Sequence, residues 1–397
     1  MGYVATKGGA DAIAGAAEAL DYLRSAQGEQ AVPLDLDTIT HQLRFLASRV
    51  LSEGGLYHPR LAALAIKQSL GDPLEASFAL RAHRSTQPRL LTTPLHDTSR
   101  MRVIRRISSS FKDIPGGQIL GPTTDYAWRL MRLALIDETP ESFRAITRHW
   151  FAELPEDALP DSFPKVLDSL RAEGLLPPLA DHDHDAPFDI TREPLIFPVP
   201  RSACLATMAR GETGSVLALA YSNMRGYGDV HPTIAELRVG YLPVTLPHPI
   251  TGEPVEIGEI LMTECEVVAM YEEPDDADHP SPGAEIGAGA GLGSRRIEGV
   301  PTFTSGYGAC FGHNEVKAVA MAILDRALQK GMRDGPRNSS EDPEFVLLHI
   351  DGIDSMGFCG HYKMPHYVTF QSDMDRLRTT QKRSRDHGSD GVSEGES

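Results

Sequence analysis

The spacing of apolar residues predicts helices in the first quarter of the chain. Three segments repeat apolar residues every three or four positions, which is the spacing of one helix face: 10–23, 36–51 and 59–70. Glycine follows two of them, at Gly54 and at Gly71, as is common where helices end. The pattern therefore predicts a mainly helical N-terminal region.

Further along, the pattern changes to short apolar runs mixed with one long helical segment. Residues 102–110 lead into a Pro-Gly-Gly turn, and a helical pattern follows at 125–135. Four runs read as strands or short apolar core segments: 215–221, 236–244, 255–262 and 345–350. Residues 315–329 read as a helix. We therefore predict the α+β class, with a mixed α+β C-terminal region after the helical one.

Composition suggests where these regions are divided. Residues 177–200 hold six prolines and an alternating Asp/His tract, which is typical of a linker or a surface loop. We predict a helical domain at 1–176, an α+β domain at 201–380 with a flexible Gly/Pro-rich insertion at 272–299, and a disordered tail at 381–397. A chain of 397 residues exceeds the size of one typical core, about 250–300 residues, so two units are expected.

Charge and cysteine content exclude several classes of protein. The net charge of −17 disfavours a general nucleic-acid binder, and apolar runs are too short to span a membrane. Four widely spaced cysteines without a CxxC pair argue against a disulfide framework or an all-cysteine zinc site. We expect a cytoplasmic protein with reduced thiols.

His361 and His366 are candidate metal ligands. They stand five positions apart, and a proline precedes the second, so both can reach one ion if the chain turns between them. Two histidines make only half of a tetrahedral zinc site. From the residues alone, structural histidines are the favoured interpretation, and Cys359 and His349 are further ligand candidates.

Two glycine-rich segments could approach a phosphate. The first, 221–232, contains Arg225, Tyr227 and His231, and a guanidinium offers paired donors to phosphate oxygens. A surface turn with a solvated arginine is an equal alternative. The second, 304–313, precedes a helix but lacks the Lys-Ser/Thr ending of an ordinary P-loop.

Paired carboxylates and a basic cluster complete the candidates. Glu264 and Glu266 would share one face of a strand, where like charges raise one pKa and suit acid/base chemistry. Arg105, Arg106 and Lys112 form the densest basic cluster of the first half. Exposed surface charges are the alternative in both cases.

Taken together and in order, these blocks resemble the PhnI family over nearly the whole chain. The resemblance rests on the following segments: VATKGG at 4–9, EGG at 53–55, LAIKQ at 64–68, RRIS at 105–108, KDIPGGQ at 112–118, LGPT at 120–123, LALAYS at 217–222, RGYG at 225–228, HP at 231–232, LMTECE at 261–266, GYG at 306–308, DRAL at 325–328 and PHYV at 365–368. The longer insertion, the extended tail and Ser305, where the family often has Arg, depart from the pattern.

The resemblance implies a subunit of the carbon–phosphorus lyase system of phosphonate catabolism. With PhnG, PhnH and PhnL partners, such a subunit replaces the adenine of ATP with an alkylphosphonate such as methylphosphonate, giving a ribose 1-phosphonate 5-triphosphate. It also implies a purine nucleosidase activity on ATP or GTP when alone, and a homodimer at the centre of an assembly with PhnJ and PhnK. The two family histidines that hold zinc at the PhnJ interface match His361 and His366.

Roles for the remaining candidates follow from that reaction. Breaking an N-glycosidic bond builds positive charge at C1′, which a carboxylate stabilises while an acid protonates the leaving purine. We assign the carboxylate to Glu264 or Glu266, and the acid or purine contact to His231 or Tyr227. The anion-holding groups are Arg105, Arg106, Lys112 and Arg225.

Two other functions are compatible with the sequence. A non-catalytic scaffold subunit would complete a partner's metal site and release no base. A metal-dependent phosphohydrolase would use His361, His366 and the tract 181–185, but no compact His/Asp ligand set recurs in the chain.

Overall fold

The computed structural model describes residues 9–26, 28–152, 162–179, 186–227, 231–270 and 302–389. Its helices are α1 Gly9–Arg24, α2 Leu36–Gln42, α3 Arg44–Gly54, α4 Pro59–Gln68, α5 Pro73–Ser85, α6 Pro140–Ala152, α7 Val166–Ala172, α8 Arg201–Arg210, α9 Thr213–Ser222, α10 Glu315–Asp334, α11 Pro343–His349, α12 Gly352–Tyr362 and α13 Tyr367–Ser389. Its strands are β1 Arg102–Ile107, β2 Thr233–Pro247, β3 Pro254–Ala269 and β4 Thr304–Phe311. The predicted α+β class is confirmed.

Two compact units contain the described residues. One comprises those of Met1–Val32 and Asp354–Ser397, and the other comprises those of Pro33–Ile353. Helices α2–α5 and all four strands belong to the second unit. This division does not follow the linker predicted at 177–200, so that domain boundary stays a prediction from composition. None of the described helices is long and apolar enough to cross a membrane.

Several predicted elements need correction. The runs at 215–221 and 345–350 are helical, because Glu212 and Asp342 cap the first turns of α9 and α11 by accepting backbone N–H groups. A short apolar run fits a buried helix as well as a strand, and here the cap decides.

The helix predicted at 125–135 is absent; a short 3-10 turn spans Leu133–Asp137. Residues 125–135 are exposed, so packing does not stabilise a helix there, whereas the equally exposed α6 has its first turn capped by Thr139. The tail prediction is wrong as far as Ser389, since α13 runs to that residue. The insertion at 272–299, the tract 181–185 and the tail beyond 389 lie outside the described residues.

The sheet has the order β1-β2-β3-β4, and every neighbouring pair is antiparallel. Helix α10 covers one face together with α8, α9 and α11, and buried residues of these helices pack on Leu237, Cys265, Val267 and Cys310. The opposite face is covered by the segment that leads into α7, which contacts Arg106, Glu236 and Arg238. The sheet therefore has one apolar face and one face that carries charged side chains.

Two glycines of β4 allow α10 to lie directly on the sheet. A Cβ added to Gly306 would lie 2.0 Å from the carbonyl oxygen of Ala322, and one on Gly308 would lie 2.2 Å from that of Ala318. The segment 304–313 is thus mainly a strand and not a phosphate loop. Its glycines allow α10 to contact the sheet closely.

We predict that Gly308→Ala destabilises the protein by about 3 kcal/mol or more, because the methyl group must push α10 away from β4. The matched change Gly357→Ala lies in α12 with no atom within 4 Å of the added Cβ. It should be neutral or slightly stabilising. Thermal unfolding midpoints of the two variants check this, and equal midpoints would contradict the packing argument.

Candidate functional site

The face of the sheet opposite α10 carries a row of charged side chains. Glu264 pairs in register with Arg238 of β2, and Glu266 pairs with Glu236 of β2 and Tyr307 of β4. Because alternate residues of a strand share a face, these side chains lie together. The set, called the charged cluster below, consists of Arg106, Lys165, Glu236, Arg238, Glu264, Glu266 and Tyr307.

Glu264 is the centre of the charged cluster. Its Oε1 accepts from Lys165 Nζ at 2.6 Å and from an Arg238 guanidinium nitrogen at 2.9 Å, and its Oε2 accepts from the Tyr307 hydroxyl at 3.0 Å. Burial would raise the pKa of Glu264, but the charges of Lys165 and Arg238 outweigh it and hold the pKa at about 2. Glu264 is therefore ionised at neutral pH, and both of its oxygens accept hydrogen bonds.

The charged cluster contains a second ion pair, between Arg106 and Glu236. Arg106 and Glu236 are both buried, and Arg106 Nε lies 2.5 Å from Glu236 Oε1. The other oxygen of Glu236 accepts from the backbone N–H of Val166 at 3.2 Å. Arg106 also donates to the carbonyl of Pro164. These contacts fix the segment before α7 across the sheet face.

Glu266 differs from the other carboxylates of the charged cluster. It is 8% exposed, and its Oε2 is buried without a hydrogen-bond partner among the described residues. Burial raises the pKa of Glu266 to about 7, with the negative charges of Glu264 and Glu236 adding to the effect and Lys165 opposing it. Glu266 therefore exchanges a proton near neutral pH.

The two predicted carboxylates thus have divergent acidities. Glu264 stays charged, while Glu266 can hold and release a proton, and such a separation assigns acid/base roles in enzyme sites. Lys165 is 15% exposed at its side chain, so the charged cluster meets solvent at its Lys165 edge. Chemically, the pair can stabilise a developing positive charge and supply one proton.

Arg105 does not join this site although it neighbours Arg106. It is buried and lies beside Glu315 at the start of α10, with its Nε 2.9 Å from Oε1 of Glu315, and it also pairs with Asp125. That nitrogen is not aligned for a hydrogen bond to Glu315, so the contact is electrostatic. Strand alternation separates the two arginines that the sequence grouped together.

The other predicted anion-holding residues lie on the surface. Lys112 is exposed in the turn after β1. Arg225 is exposed and donates to the hydroxyl of Tyr221 at 2.9 Å. His231 is also exposed, and the side chain of Tyr227 lies outside what the structure describes. Three of the residues predicted for catalysis and substrate binding lie together in the charged cluster: Arg106, Glu264 and Glu266.

Sequence reasoning missed four members of the charged cluster. Glu236 and Arg238 stand two apart in a predicted strand, the same spacing as Glu264 and Glu266, so alternation could have found them. Tyr307 was read as part of a loop. No sequence pattern pointed to Lys165, because it lies 99 residues from its partner Glu264.

The histidine pair forms a separate site at the junction of α12 and α13. The chain turns between His361 and His366, as expected, and brings their Nε2 atoms within 3.3 Å with the rings nearly perpendicular. Nδ1 of His366 lies 2.6 Å from the carbonyl oxygen of Met364, a contact that favours the tautomer with the proton on Nδ1 and an unprotonated Nε2. Two nitrogens bound to one tetrahedral zinc ion lie about 3.3 Å apart.

The spacing of the two Nε2 atoms therefore fits two ligands of one metal ion. Within the described ranges, no group of three or more His, Cys, Asp or Glu side chains is arranged for a metal. His349 instead stacks on Phe345 of its own helix.

Comparison with known proteins places the chain in a family. Residues 2–384 match the family model described as bacterial phosphonate metabolism protein (PhnI). The chain is 71% identical over 384 residues to the putative C-P lyase subunit protein HtxH of Stutzerimonas stutzeri, covering 97% of each chain. The proteins of Rhizobium meliloti and Escherichia coli named alpha-D-ribose 1-methylphosphonate 5-triphosphate synthase subunit PhnI are 39% and 41% identical, with 99% and 97% of this chain covered, and 99% and 100% of theirs. The chain therefore belongs to the PhnI family of bacterial phosphonate metabolism proteins.

Proposed function

We propose that the chain is a subunit of the carbon–phosphorus lyase system and takes part in displacing adenine from ATP by an alkylphosphonate. The product would be a ribose 1-alkylphosphonate 5-triphosphate. Family membership and the printed names of relatives that align over nearly their full length support this assignment. The pair of carboxylates with divergent acidities is the observation on this chain that carries the chemistry.

In the proposed reaction, the bond between ribose C1′ and the adenine nitrogen breaks with its electron pair leaving on adenine. An oxygen of the phosphonate forms the new bond to C1′. Glu266 supplies the proton that neutralises the leaving adenine, and the fixed charge of Glu264 stabilises positive charge at C1′. His231 and Tyr227 would contact the purine. Lys112 and Arg225, both exposed, would hold phosphate groups, while Arg106 would fix Glu236 of the charged cluster through their ion pair.

The test is to incubate the purified chain with ATP and methylphosphonate, with and without PhnG, PhnH and PhnL. Chromatography follows free adenine and phosphorus NMR follows the ribose phosphonate. Adenine from the chain alone would support a nucleosidase activity on ATP or GTP, and a phosphonate adduct from the mixture would support transfer. If no adenine forms in either case, the catalytic proposal is wrong.

A non-catalytic scaffold is the second candidate, and a specific observation favours it. Glu264, Glu236 and Arg106 all have partners inside the protein, as expected of a structural network. In this case the histidine pair would complete a metal site of another subunit. Base release that requires the partner subunits and survives Glu266→Gln in this chain would support the scaffold.

We further propose that His361 and His366 bind zinc together with ligands from a PhnJ-type partner. The metal would fix the contact between the subunits. In an assembly that also contains PhnK and a homodimer of this chain, His361→Ala or His366→Ala should remove most of the bound zinc, because each supplies one of few ligands. Adenine release by the chain alone should be unchanged.

Elemental analysis of the reconstituted assembly measures this zinc. His349→Ala is the matched control, since this exposed histidine contacts its own helix instead. Equal zinc content in all three variants and in the wild type would show that the pair is not a metal site.

A further inference from the structure

A cavity of about 330 Å³ lies in the larger unit, where α3, α5 and α8 meet the end of β4. Ser52, Arg84, Ala206 and Cys310 come from these four elements and line it. Its volume is at the lower end of the range for small-molecule pockets, about 300–1,000 Å³. No member of the charged cluster lines it, so it is distinct from the carboxylate site.

The walls of the cavity are mostly apolar. Ala209, Met262, Phe311 and Ile190 contribute to them, and the described lining residues include no Asp or Glu. A ligand that fits here gains from burying an apolar group. It meets no negative charge from the lining.

Arg84 introduces an unpaired positive charge into this cavity. Its guanidinium is half-buried, its Nε is buried without a hydrogen-bond partner, and it forms no ion pair among the described residues. Its neighbours Arg81 and Arg89, by contrast, are paired with Asp351 and Asp189. Burial and the charges of these two arginines lower the pKa of Arg84, while the charge of Asp189 opposes the shift. An anion next to Arg84 would relieve both effects.

Beneath the cavity lies Lys317, whose pKa burial lowers to about 8 although the charges of Glu53 and Glu212 oppose the shift. The fully buried Lys317 donates from Nζ to the hydroxyl of Ser52 at 2.8 Å. Burial raises the pKa of the Cys310 thiol to about 11, so it stays neutral. Arg210 is a further cation on the lining.

We infer that this cavity binds a small organic phosphonate or phosphate monoester, with its dianionic head on Arg84 and its apolar substituent against the alanine and phenylalanine walls. A guanidinium suits such a head because it offers two parallel N–H donors. The inference does not depend on adenine release, since it concerns equilibrium binding to this chain.

Calorimetric titration of the full-length chain without ATP tests it, with phenylphosphonate, phenyl phosphate and inorganic phosphate as probes. Both phenyl compounds should bind, and inorganic phosphate should bind at least about tenfold more weakly because it buries no apolar group. Arg84→Gln should weaken phenyl-compound binding about tenfold or more. Ala206→Leu, which fills the cavity, should also weaken binding. Arg60→Gln changes an exposed arginine of α4 that does not line the cavity and should have no effect.

The relative affinity of the two phenyl compounds shows whether a phosphonate or a phosphate ester is the better ligand. Circular dichroism checks that Arg84→Gln is folded. If it is not, weaker ligand binding by Ala206→Leu tests the cavity independently. The inference is overturned if neither phenyl compound binds the wild type, or if folded Arg84→Gln and Ala206→Leu bind as tightly as the wild type.

Discussion

Glu266→Gln should reduce adenine release from ATP by about 10²- to 10⁴-fold, because the amide cannot donate the proton that the leaving purine needs. In the wild type, the rate should fall as pH rises above about 7, where Glu266 loses that proton. Adenine release measured by chromatography between pH 5 and 9 tests both statements. Glu256→Gln, an exposed carboxylate on the same strand, should behave as wild type.

Although Glu266→Gln should lower activity, it should raise the stability of the folded protein relative to wild type. The folded-state pKa of Glu266 lies above the value of 4.5 for a free carboxyl, so its protonated form favours folding. That contribution is complete below pH 4.5 and is lost as pH rises through 7. Relative to wild type, Glu266→Gln should gain stability over this interval, on the order of 3 kcal/mol. Full activity together with an unchanged stability profile would remove Glu266 from the mechanism.

Glu264→Gln should destabilise the protein by about 3 kcal/mol or more and abolish adenine release. It leaves Arg238, which is fully buried, and Lys165 without their anion. Denaturant unfolding at pH 7 measures the loss. Combining Glu264→Gln with Lys165→Gln should restore part of the stability, since it removes one unpaired cation.

The pH dependence of Glu264 has the opposite sign to that of Glu266. Its folded-state pKa of about 2 lies below 4.5, so its stabilising contribution is present above pH 4.5 and is lost as pH falls toward 2. The wild type should therefore lose stability on acidification in this range, and Glu264→Gln should lack that part of the loss. A variant as stable as wild type at pH 7 would show that the ion pairs contribute little.

Local pattern alone determined several features of this protein. The helical periodicity of 36–51 and 315–329 and the strand at 236–244 appear as α2–α3, α10 and β2. The two-residue spacing of Glu264 and Glu266 placed both on one face of β3. Blocks in register identified the PhnI family, which the comparisons confirm.

Tertiary packing decided the rest. Whether 215–221 forms a helix depended on the cap at Glu212, and whether 125–135 forms one depended on burial that the chain does not provide. The different acidities of Glu264 and Glu266 arise because Lys165, which is remote in sequence, and Arg238 both pair closely with Glu264, whereas burial dominates at Glu266. Sequence spacing sets which face a side chain occupies, but burial and long-range charge contacts set its pKa, and these exist only in the folded chain.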